Sequence, residues 1–441
     1  MKRSIRKSLF VCFGQVVLVL VFLCFGTLVY AGGQKAQSGG TGNQGVTLSF
    51  RTWNPDDNVW DKAQIAALWD AKNTGIKVEL DQVAYSDHYS SLKVNLASGE
   101  GPDMMGLQVG APLEEFKEFC LDVAPRATQT WGQNWESKWF PTVMALTKGK
   151  LDSYYGLPLG SSYAGYIWAN MTYFNKYNLK VPSNFNELLA VTKAFRSHGE
   201  LPLVIGAKDD WINLDMFINI VSDINGQKFF DAVEGKSPFT DPDIIKALTI
   251  WKSCFDLGIF QDGALGVNVY NDTTSIFQDE QLAPMICNGV WVVNGIDDFG
   301  KGTVFDVFTM DWNNDGKPAP VAPTVDVVMS INKASKHLDE TWQFYSWFVS
   351  EGIKSIINYN VMYLPALVDH KLDSSKFSPE MQKDLTKSLD IAKDRAAFYR
   401  EISYPRLKQT IADQLKAVAL GESTPQQAAD IIETASKAEK R

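Results

Sequence analysis

The sequence predicts an α/β fold with a mostly parallel sheet, and two features of its pattern support this. Residues 46–50 alternate apolar and polar side chains, a helical pattern follows, and residues 76–80 alternate again after a turn at Gly75. A strand, a helix and a strand at this spacing are typical of a βαβ unit, in which the two strands run parallel. No repeat of the roughly 20–50 residues that a solenoid or propeller needs is present.

The first 31 residues have the pattern of an export signal. Four Lys and Arg side chains within the first seven residues precede an uncharged, mostly apolar run over residues 9–31. We expect cleavage after Ala31, because Val29 and Ala31 occupy the two positions that favour small side chains. Two alternatives stay open. One is a lipoprotein attached through Cys24, although Leu23 before it is larger than usual; the other is an uncleaved anchor, since the run is long enough to span a bilayer.

The rest of the chain has the composition of an acidic globular protein. Residues 32–45 are rich in Gly, Ser and Gln and predict a flexible linker. Without the four cations of the signal, 38 basic residues oppose 51 acidic ones, a net charge of −13. This balance disfavours a nucleic-acid partner that is bound through a general basic surface. Three cysteines remain after the signal, at spacings that offer no metal cluster, and we expect them to be small buried side chains.

Helical apolar spacing recurs in several segments of the body. The first helix, between the two strands, places Trp60, Ile65 and Trp69 on one side. The later predicted helices cover residues 184–198, 242–257, 338–349 and 404–419. The last one precedes Gly421, and glycine commonly ends a helix in the left-handed conformation.

Catalytic and metal-binding motifs fail at single defining positions. Residues 295–302 nearly spell a phosphate-binding loop, but a Gly replaces the Ser or Thr that binds Mg²⁺. Residues 160–164 miss the nucleophile elbow because Ala164 replaces its second Gly. Residues 311–316 copy half of an EF-hand loop, yet Ala322 stands where the bidentate Glu is required, so we expect a turn. We therefore expect no enzymatic activity, no cofactor and no bound metal.

The four histidines give no metal-ligand spacing either. We expect each of them to be a solvated surface residue: His88, His198, His337 and His370.

Several short segments follow one another in an informative order. Residues 97–105 carry a Gly-x-x-Pro-Asp run followed by apolar side chains, and residues 277–291 carry Ala-x-Met and Gly-x-Trp runs that end at Trp291. Further segments are residues 48–53, 155–158, 173–177, 181–188, 330–333, 364–366 and 421–428. In this order, over about 380 residues, the chain resembles the extracellular solute-binding proteins of ABC importers, specifically the carbohydrate-binding family that includes maltose-binding protein.

The resemblance implies a two-lobe periplasmic-binding-protein fold of type II-like topology, with the ligand cleft between the lobes. Residues 46–160 and about 327–375 are expected to form the first lobe, and residues 161–326 and about 376–441 the second. The chain is expected to cross between lobes near residues 160–163, 323–326 and 373–379.

The resemblance also implies a function. It predicts a receptor that captures a sugar or oligosaccharide by lobe closure and delivers it to the permease subunits of an ABC transporter. Such a protein acts in the periplasm or outside the cell and is expected to be a monomer. Whether it is free or anchored to the membrane depends on how the signal is processed. Two alternatives remain open: a secreted glycoside-active enzyme, and a sensory binding protein that docks on a chemoreceptor.

The cleft residues follow first from sugar chemistry. Sugars present apolar C–H faces and a rim of hydroxyls, so their sites combine flat aromatic rings with Asp, Asn or Gln. Trp53 and Trp291 lie at the ends of apolar runs, and ligands of open α/β sheets bind at strand ends. The tryptophans of the predicted helices are expected to be core. The resemblance adds that Trp291 matches the family's stacking tryptophan and that Trp211 matches an aromatic of the second lobe.

The complete expected site contains Trp53, Asp56, Gln108, Tyr163, Trp211, Asn288, Trp291 and Asp326. Tyr163 falls where the maltose-binding relative has an acidic contact, which leaves the identity of the sugar open. Because no cluster of Lys or Arg lies beside the proposed aromatics, an uncharged ligand is favoured. We expect Trp291→Ala to weaken binding strongly and to change the stability of the ligand-free protein little.

Overall fold

A computed structural model of the protein describes residues 45–53, 62–295, 303–325, 327–357, 364–395 and 400–439. The predicted export signal, almost all of the predicted linker and most of the loop at residues 295–302 lie outside the described residues. So do two predicted site residues, Asp56 and Asp326.

The strands of the described residues are β1 (Thr47–Trp53), β2 (Lys77–Val83), β3 (Met104–Leu107), β4 (Leu157–Pro158), β5 (Ser162–Ala164), β6 (Tyr166–Asn170), β7 (Leu203–Val204), β8 (Met285–Asn288), β9 (Phe305–Phe308), β10 (Ala322–Thr324) and β11 (Val328–Ile331).

The α-helices of the same residues are α1 (Lys62–Asp70), α2 (Tyr85–Ser98), α3 (Ala111–Phe116), α4 (Ala124–Trp131), α5 (Pro141–Lys148), α6 (Met171–Lys176), α7 (Phe185–Ser197), α8 (Asp210–Val233), α9 (Pro242–Asp256), α10 (Leu338–Trp347), α11 (Ile353–Ile357), α12 (Pro379–Arg395), α13 (Pro405–Leu420) and α14 (Pro425–Ala438). The segment Val269–Asp279 forms π-helical turns, and Val290–Gly295 forms a 3-10 helix.

The first sheet has five strands in the order β2-β1-β3-β11-β4. The βαβ prediction is confirmed, because β1 pairs parallel with β2 and with β3. Helix α1 buries Ile65 and Trp69, and the Trp69 indole donates a hydrogen bond to the carbonyl of Ile76 at 3.0 Å. Strand β11 enters antiparallel to both β3 and β4. We call the part of the molecule built on this sheet the first lobe.

The second sheet has four strands in the order β7-β8-β6-β9. Strand β6 pairs antiparallel with β8 and β9, whereas β7 pairs parallel with β8. Helices α8, α9, α13 and α14 bury their apolar faces in one hydrophobic cluster with residues of this sheet. We call this part the second lobe.

Two short strands connect the sheets. Strand β5 lies between β4 of the first sheet and β6 of the second, and β10 lies between β9 and β11. They pair antiparallel with each other, with Tyr163 opposite Pro323. A further link joins Ser161 to Leu364, which exchange two backbone hydrogen bonds at 2.8 and 2.9 Å. The two connecting strands are therefore hydrogen-bonded to each other.

The predicted helices are present with small differences at their ends. Helix α7 begins after Asn184, whose side chain accepts a hydrogen bond from the backbone N–H of Glu187. Helix α10 ends at Trp347 and continues as a π-helical turn over Phe348–Gly352. Gly421 ends α13 in the left-handed conformation, with φ of 76°, as predicted.

Local predictions about buried and turn residues are also borne out. Cys120, Cys254 and Cys287 are buried free thiols. The Asp311 carboxylate accepts hydrogen bonds from the backbone N–H groups of Asp315 and Gly316, which makes residues 311–316 a capped turn. Within the described part of the chain, no helix combines the length and apolar character needed to cross a membrane.

Candidate functional site

A pocket lies where the two lobes meet. Its wall is formed by Trp53, Tyr85, Gln108, Trp211, Tyr270, Trp291 and Arg400. Five of these seven side chains are aromatic, and they come from both lobes. The pocket therefore offers flat apolar faces on two sides and a small number of polar groups.

The first lobe contributes the ends of its central strands. Trp53 is the last residue of β1, Gln108 follows β3, and Tyr85 begins α2. The rings of Trp53 and Tyr85 meet edge to face with centroids 5.9 Å apart. The Tyr85 hydroxyl donates to Oε1 of Gln108 at 2.9 Å, and the backbone N–H of Gln108 donates to the Tyr89 hydroxyl at 3.0 Å. These contacts fix the orientation of the ring and the amide before a ligand arrives.

A buried histidine supports Trp53 from behind. The His88 ring lies 5.1 Å from the Trp53 ring, and its Nε2–H donates to the carbonyl of Gly106 at 2.8 Å. Burial lowers the pKa of His88 to about 4, so the ring is neutral at physiological pH. The expectation that all four histidines are solvated is wrong for His88, which is 0% exposed, and for His370, which is also buried. His88 fills a core position in a polar stretch of α2, which local periodicity did not indicate.

The second lobe contributes three aromatic rings. Trp211 lies in the first turn of α8, Tyr270 in the π-helical segment, and Trp291 in the 3-10 helix after β8. The Trp211 ring is tilted 30° to that of Tyr270 at 5.9 Å, and its centroid is 5.8 Å from that of Trp291. These rings form a continuous aromatic surface that a sugar ring could contact by its C–H face.

Trp291 is more buried than its predicted place on an open cleft implies. Its side chain is 5% exposed, and although it follows β8 of the second sheet, it packs in the hydrophobic cluster of the first lobe. Gly289 permits this position, because a Cβ there would lie 2.1 Å from the Trp291 ring. The indole Nε1–H is buried and has no hydrogen-bond acceptor among the described residues. Trp291 thus connects the two lobes and brings an unsatisfied donor to the pocket wall.

Arg400 also lies in the pocket, and sequence reasoning missed it. Its guanidinium Nε donates to Oδ1 of Asp215 at 2.6 Å, and its Cζ lies 5.5 Å from the Trp211 ring and 5.4 Å from the Trp291 ring. The sequence shows no cluster of Lys or Arg beside the aromatics, but this single Arg lies against two of them. Asp215 is 185 positions away along the chain, and no local motif marks either residue.

Two more predicted site residues lie away from the pocket wall. Tyr163 is on β5, where its half-buried ring packs in a hydrophobic cluster with the second sheet, and burial raises its pKa. Asn288 ends β8 and is buried, with its Oδ1 accepting from the backbone N–H of Gly289. The pocket thus unites Trp53, Gln108, Trp211 and Trp291 but has neither Tyr163 nor Asn288 on its wall.

Tyr85 and Tyr270 were also missed. Tyr85 could have been found by the rule that placed Trp53, since it follows the carboxyl end of β2 at the same sheet edge. Tyr270 had no comparable signal, because it lies in a π-helical segment without a strand before it.

Comparisons of the sequence with known proteins identify relatives that cover more than half of the chain. The family model of bacterial extracellular solute-binding proteins matches residues 54–354, more than half of the chain. The multiple sugar-binding protein of Streptococcus mutans is 24% identical over 283 residues, which are 62% of this chain and 64% of that protein. An uncharacterized ABC transporter extracellular-binding protein of Pyrococcus horikoshii is 23% identical over 257 residues, 56% of each chain. The matches thus span about three fifths of the length of these curated relatives.

Solved structures share the fold over a larger part of the chain. A protein described with xylan utilization by Caldanaerobius polysaccharolyticus superposes with a TM-score of 0.76 at 20% identity, covering 88% of this chain and 99% of its own. The maltose-bound MalE3 protein of T. maritima gives a TM-score of 0.70 at 17% identity, covering 89% and 99%. These similarities establish the two-lobe architecture.

Proposed function

The chain belongs to the bacterial extracellular solute-binding protein family, and on that premise we propose that it is the saccharide receptor of an ABC importer. The observation that carries this proposal is the aromatic pocket between the lobes. Trp53 and Tyr85 line the pocket from the first lobe, and Trp211 and Trp291 line it from the second. Flat rings on two sides suit the C–H faces of a pyranose, and Gln108 can donate to and accept from its hydroxyls.

Contact between the lobes at the pocket supports a mechanism of capture by closure. Trp291 already packs against the other lobe in this conformation. We propose that the lobes separate to admit the saccharide and close on it. A ligand that contacts both lobes stabilises the closed form by its differential affinity for that form.

The remaining parts of the proposal concern location and partners. The export signal is cleaved after Ala31, and the protein works outside the cytoplasmic membrane with the two permease subunits of its importer. It acts as a monomer without a catalytic step. We propose that residues 46–160 with about 327–375, and residues 161–326 with about 376–441, are the two bodies that move relative to each other. The family consists of extracellular solute-binding proteins, which supports a binding role over a glycosidase.

A thermal-shift screen tests the proposal. The panel contains maltotriose, cellotriose, xylotriose, chitotriose and galactotriose, with ribitol and glycerol 3-phosphate as non-saccharide probes. A ligand that binds only the folded state adds about 2.7 kcal/mol of stability at 100 times its dissociation constant. We expect at least one trisaccharide to raise the melting temperature, and calorimetric titration then gives its affinity. If the melting temperature rises with ribitol or glycerol 3-phosphate but with no saccharide, the saccharide assignment is rejected. Release of shorter sugars from a trisaccharide would favour the alternative of a glycoside-active enzyme.

A further inference from the structure

Arg400 is the one charged side chain among the described residues of the pocket wall, and it is 6% exposed. Its backbone N–H donates to the carbonyl of Pro323 at 3.1 Å, which ties it to connecting strand β10. Its guanidinium binds Asp215 of α8 and lies beside two tryptophan rings. The side chain is therefore held in place by the connection between the lobes, by a carboxylate and by the aromatic wall.

The charge of Arg400 is balanced inside the protein. Asp215 is buried, with a side chain that is 2% exposed, and its Oδ1 lies 2.6 Å from the guanidinium Nε. The neighbouring Glu401 is bound to Lys408 at 3.0 Å. The two cations and two carboxylates of this group have no net charge. A carboxylate brought by a ligand would thus add an uncompensated negative charge to a buried region, which is unfavourable.

The polar groups on this part of the wall are hydrogen-bond donors. A guanidinium only donates, and so does an indole N–H. The Trp291 Nε1–H is buried, and the part of the chain that the structure describes offers it no acceptor. Leaving a buried donor unsatisfied is costly, so a ligand oxygen beside it would relieve that cost. Hydroxyl and ring oxygens of a neutral sugar supply such acceptors without adding charge.

We propose that the Arg400–Asp215 pair determines the charge of the ligand: the pocket selects an uncharged saccharide over its carboxylate-bearing counterpart. This inference rests on the proposed function. Arg400 gives charge-assisted hydrogen bonds to sugar oxygens, and Asp215 removes the preference for anions that a lone guanidinium would have.

Titration calorimetry on matched ligands tests the charge preference. The neutral members are maltotriose, cellotriose and galactotriose, each compared with the acid in which one CH₂OH group is a carboxylate, and xylotriose, compared with glucuronoxylotriose. We expect the wild-type protein to bind the neutral member of its best pair at least tenfold more tightly. Asp215→Asn leaves the guanidinium uncompensated and is expected to shift this ratio at least tenfold toward the acid.

A charge-free double variant tests the role of Arg400 itself. Arg400→Gln with Asp215→Asn removes both charges together, so no single charge is left buried, and we expect it to weaken binding of the neutral sugar at least tenfold. Asp256→Asn is the matched control, because that aspartate pairs with Lys252 on the exposed surface of α9. Circular dichroism melts confirm that each variant folds.

The outcomes separate the two proposals. If wild-type protein binds no saccharide of the panel, the proposed function fails. If neutral saccharides bind but the acids bind equally or better, or if Asp215→Asn leaves the ratio unchanged, only the charge selection by Arg400 and Asp215 is overturned. Unchanged neutral-sugar binding by the double variant would likewise remove Arg400 from the recognition of the ligand.

Discussion

Replacing Trp291 by alanine removes the ring that lies between the lobes and on the pocket wall. Truncating a central aromatic anchor at a binding site typically costs about 2 kcal/mol or more, which is about thirtyfold in affinity. We therefore expect Trp291→Ala to weaken binding of the best trisaccharide at least thirtyfold in a calorimetric titration. The loss includes the stacking surface next to Trp211 and the buried indole N–H.

The same substitution has a smaller effect on stability than a core substitution of equal size. One side of the Trp291 ring borders the pocket and another packs against the opposite lobe, so the ring has fewer contacts within its own lobe. We expect a loss of about 1–2 kcal/mol in the free energy of unfolding, within the usual range for single substitutions. The sequence alone suggested almost no loss, and the 5% exposure of the ring corrects that expectation.

Trp251→Ala is the matched control. This tryptophan is fully buried in the second lobe, and its indole donates to the carbonyl of Leu415 at 2.9 Å. Its removal is expected to cost about 3–5 kcal/mol of stability, as for other core Trp→Ala changes, with the affinity of the folded protein unchanged. The reasoning is refuted if Trp291→Ala keeps wild-type affinity and loses as much stability as Trp251→Ala.

Three further substitutions test separate parts of the structure. Gly289→Ala places a Cβ 2.1 Å from the Trp291 ring and must displace it, so we expect at least threefold weaker trisaccharide binding, whereas Gly266→Ala, which has open space, leaves binding unchanged. Gly421→Ala puts a side chain at a left-handed position with φ of 76° and is expected to cost about 1 kcal/mol in denaturant unfolding. Burial lowers the pKa of His88 from 6.5 to about 4, so the unfolded chain binds this proton more readily than the folded protein does. The free energy of unfolding therefore contains about 3 kcal/mol from the neutral imidazole above pH 6.5, and this part is lost as the pH falls toward 4. His88→Gln should flatten this part of the pH dependence of unfolding.

Each of these three predictions would be contradicted by a specific result. Equal binding by the Gly289→Ala and Gly266→Ala variants would show that the Trp291 ring does not need its present position. Wild-type stability in Gly421→Ala would contradict the left-handed end of α13. A pH dependence between 6.5 and 4 that is the same with and without His88 would mean that the imidazole is not buried in neutral form.

Local pattern predicted the parts of this molecule that local forces determine. The alternation in β1 and β2 and the terminal Gly421 of α13 both act within a few residues of their own position. Trp53 and Gln108 followed from the rule that ligands bind at strand ends. This rule uses the order of elements rather than their tertiary packing.

Residues whose environment depends on distant chain segments could not be predicted in this way. Arg400 meets Asp215 across 185 positions, and His88 is buried because Trp53 and Gly106 surround it. Tyr163 was placed in the site by resemblance alone, whereas β5 directs its ring into a hydrophobic cluster. In each case packing against distant segments determines the position of the side chain. The residues next to it in the sequence do not indicate which segments those are.

The central claim is that one saccharide contacts both lobes in the aromatic pocket. A crystal structure of the protein with the tightest-binding trisaccharide of the panel tests it most directly. We expect a sugar ring stacked on Trp211 or Trp291, in contact with Trp53 of the first lobe and within hydrogen-bond distance of Arg400. A ligand that is bound to one lobe alone, or at a place not bordered by these residues, would contradict the account.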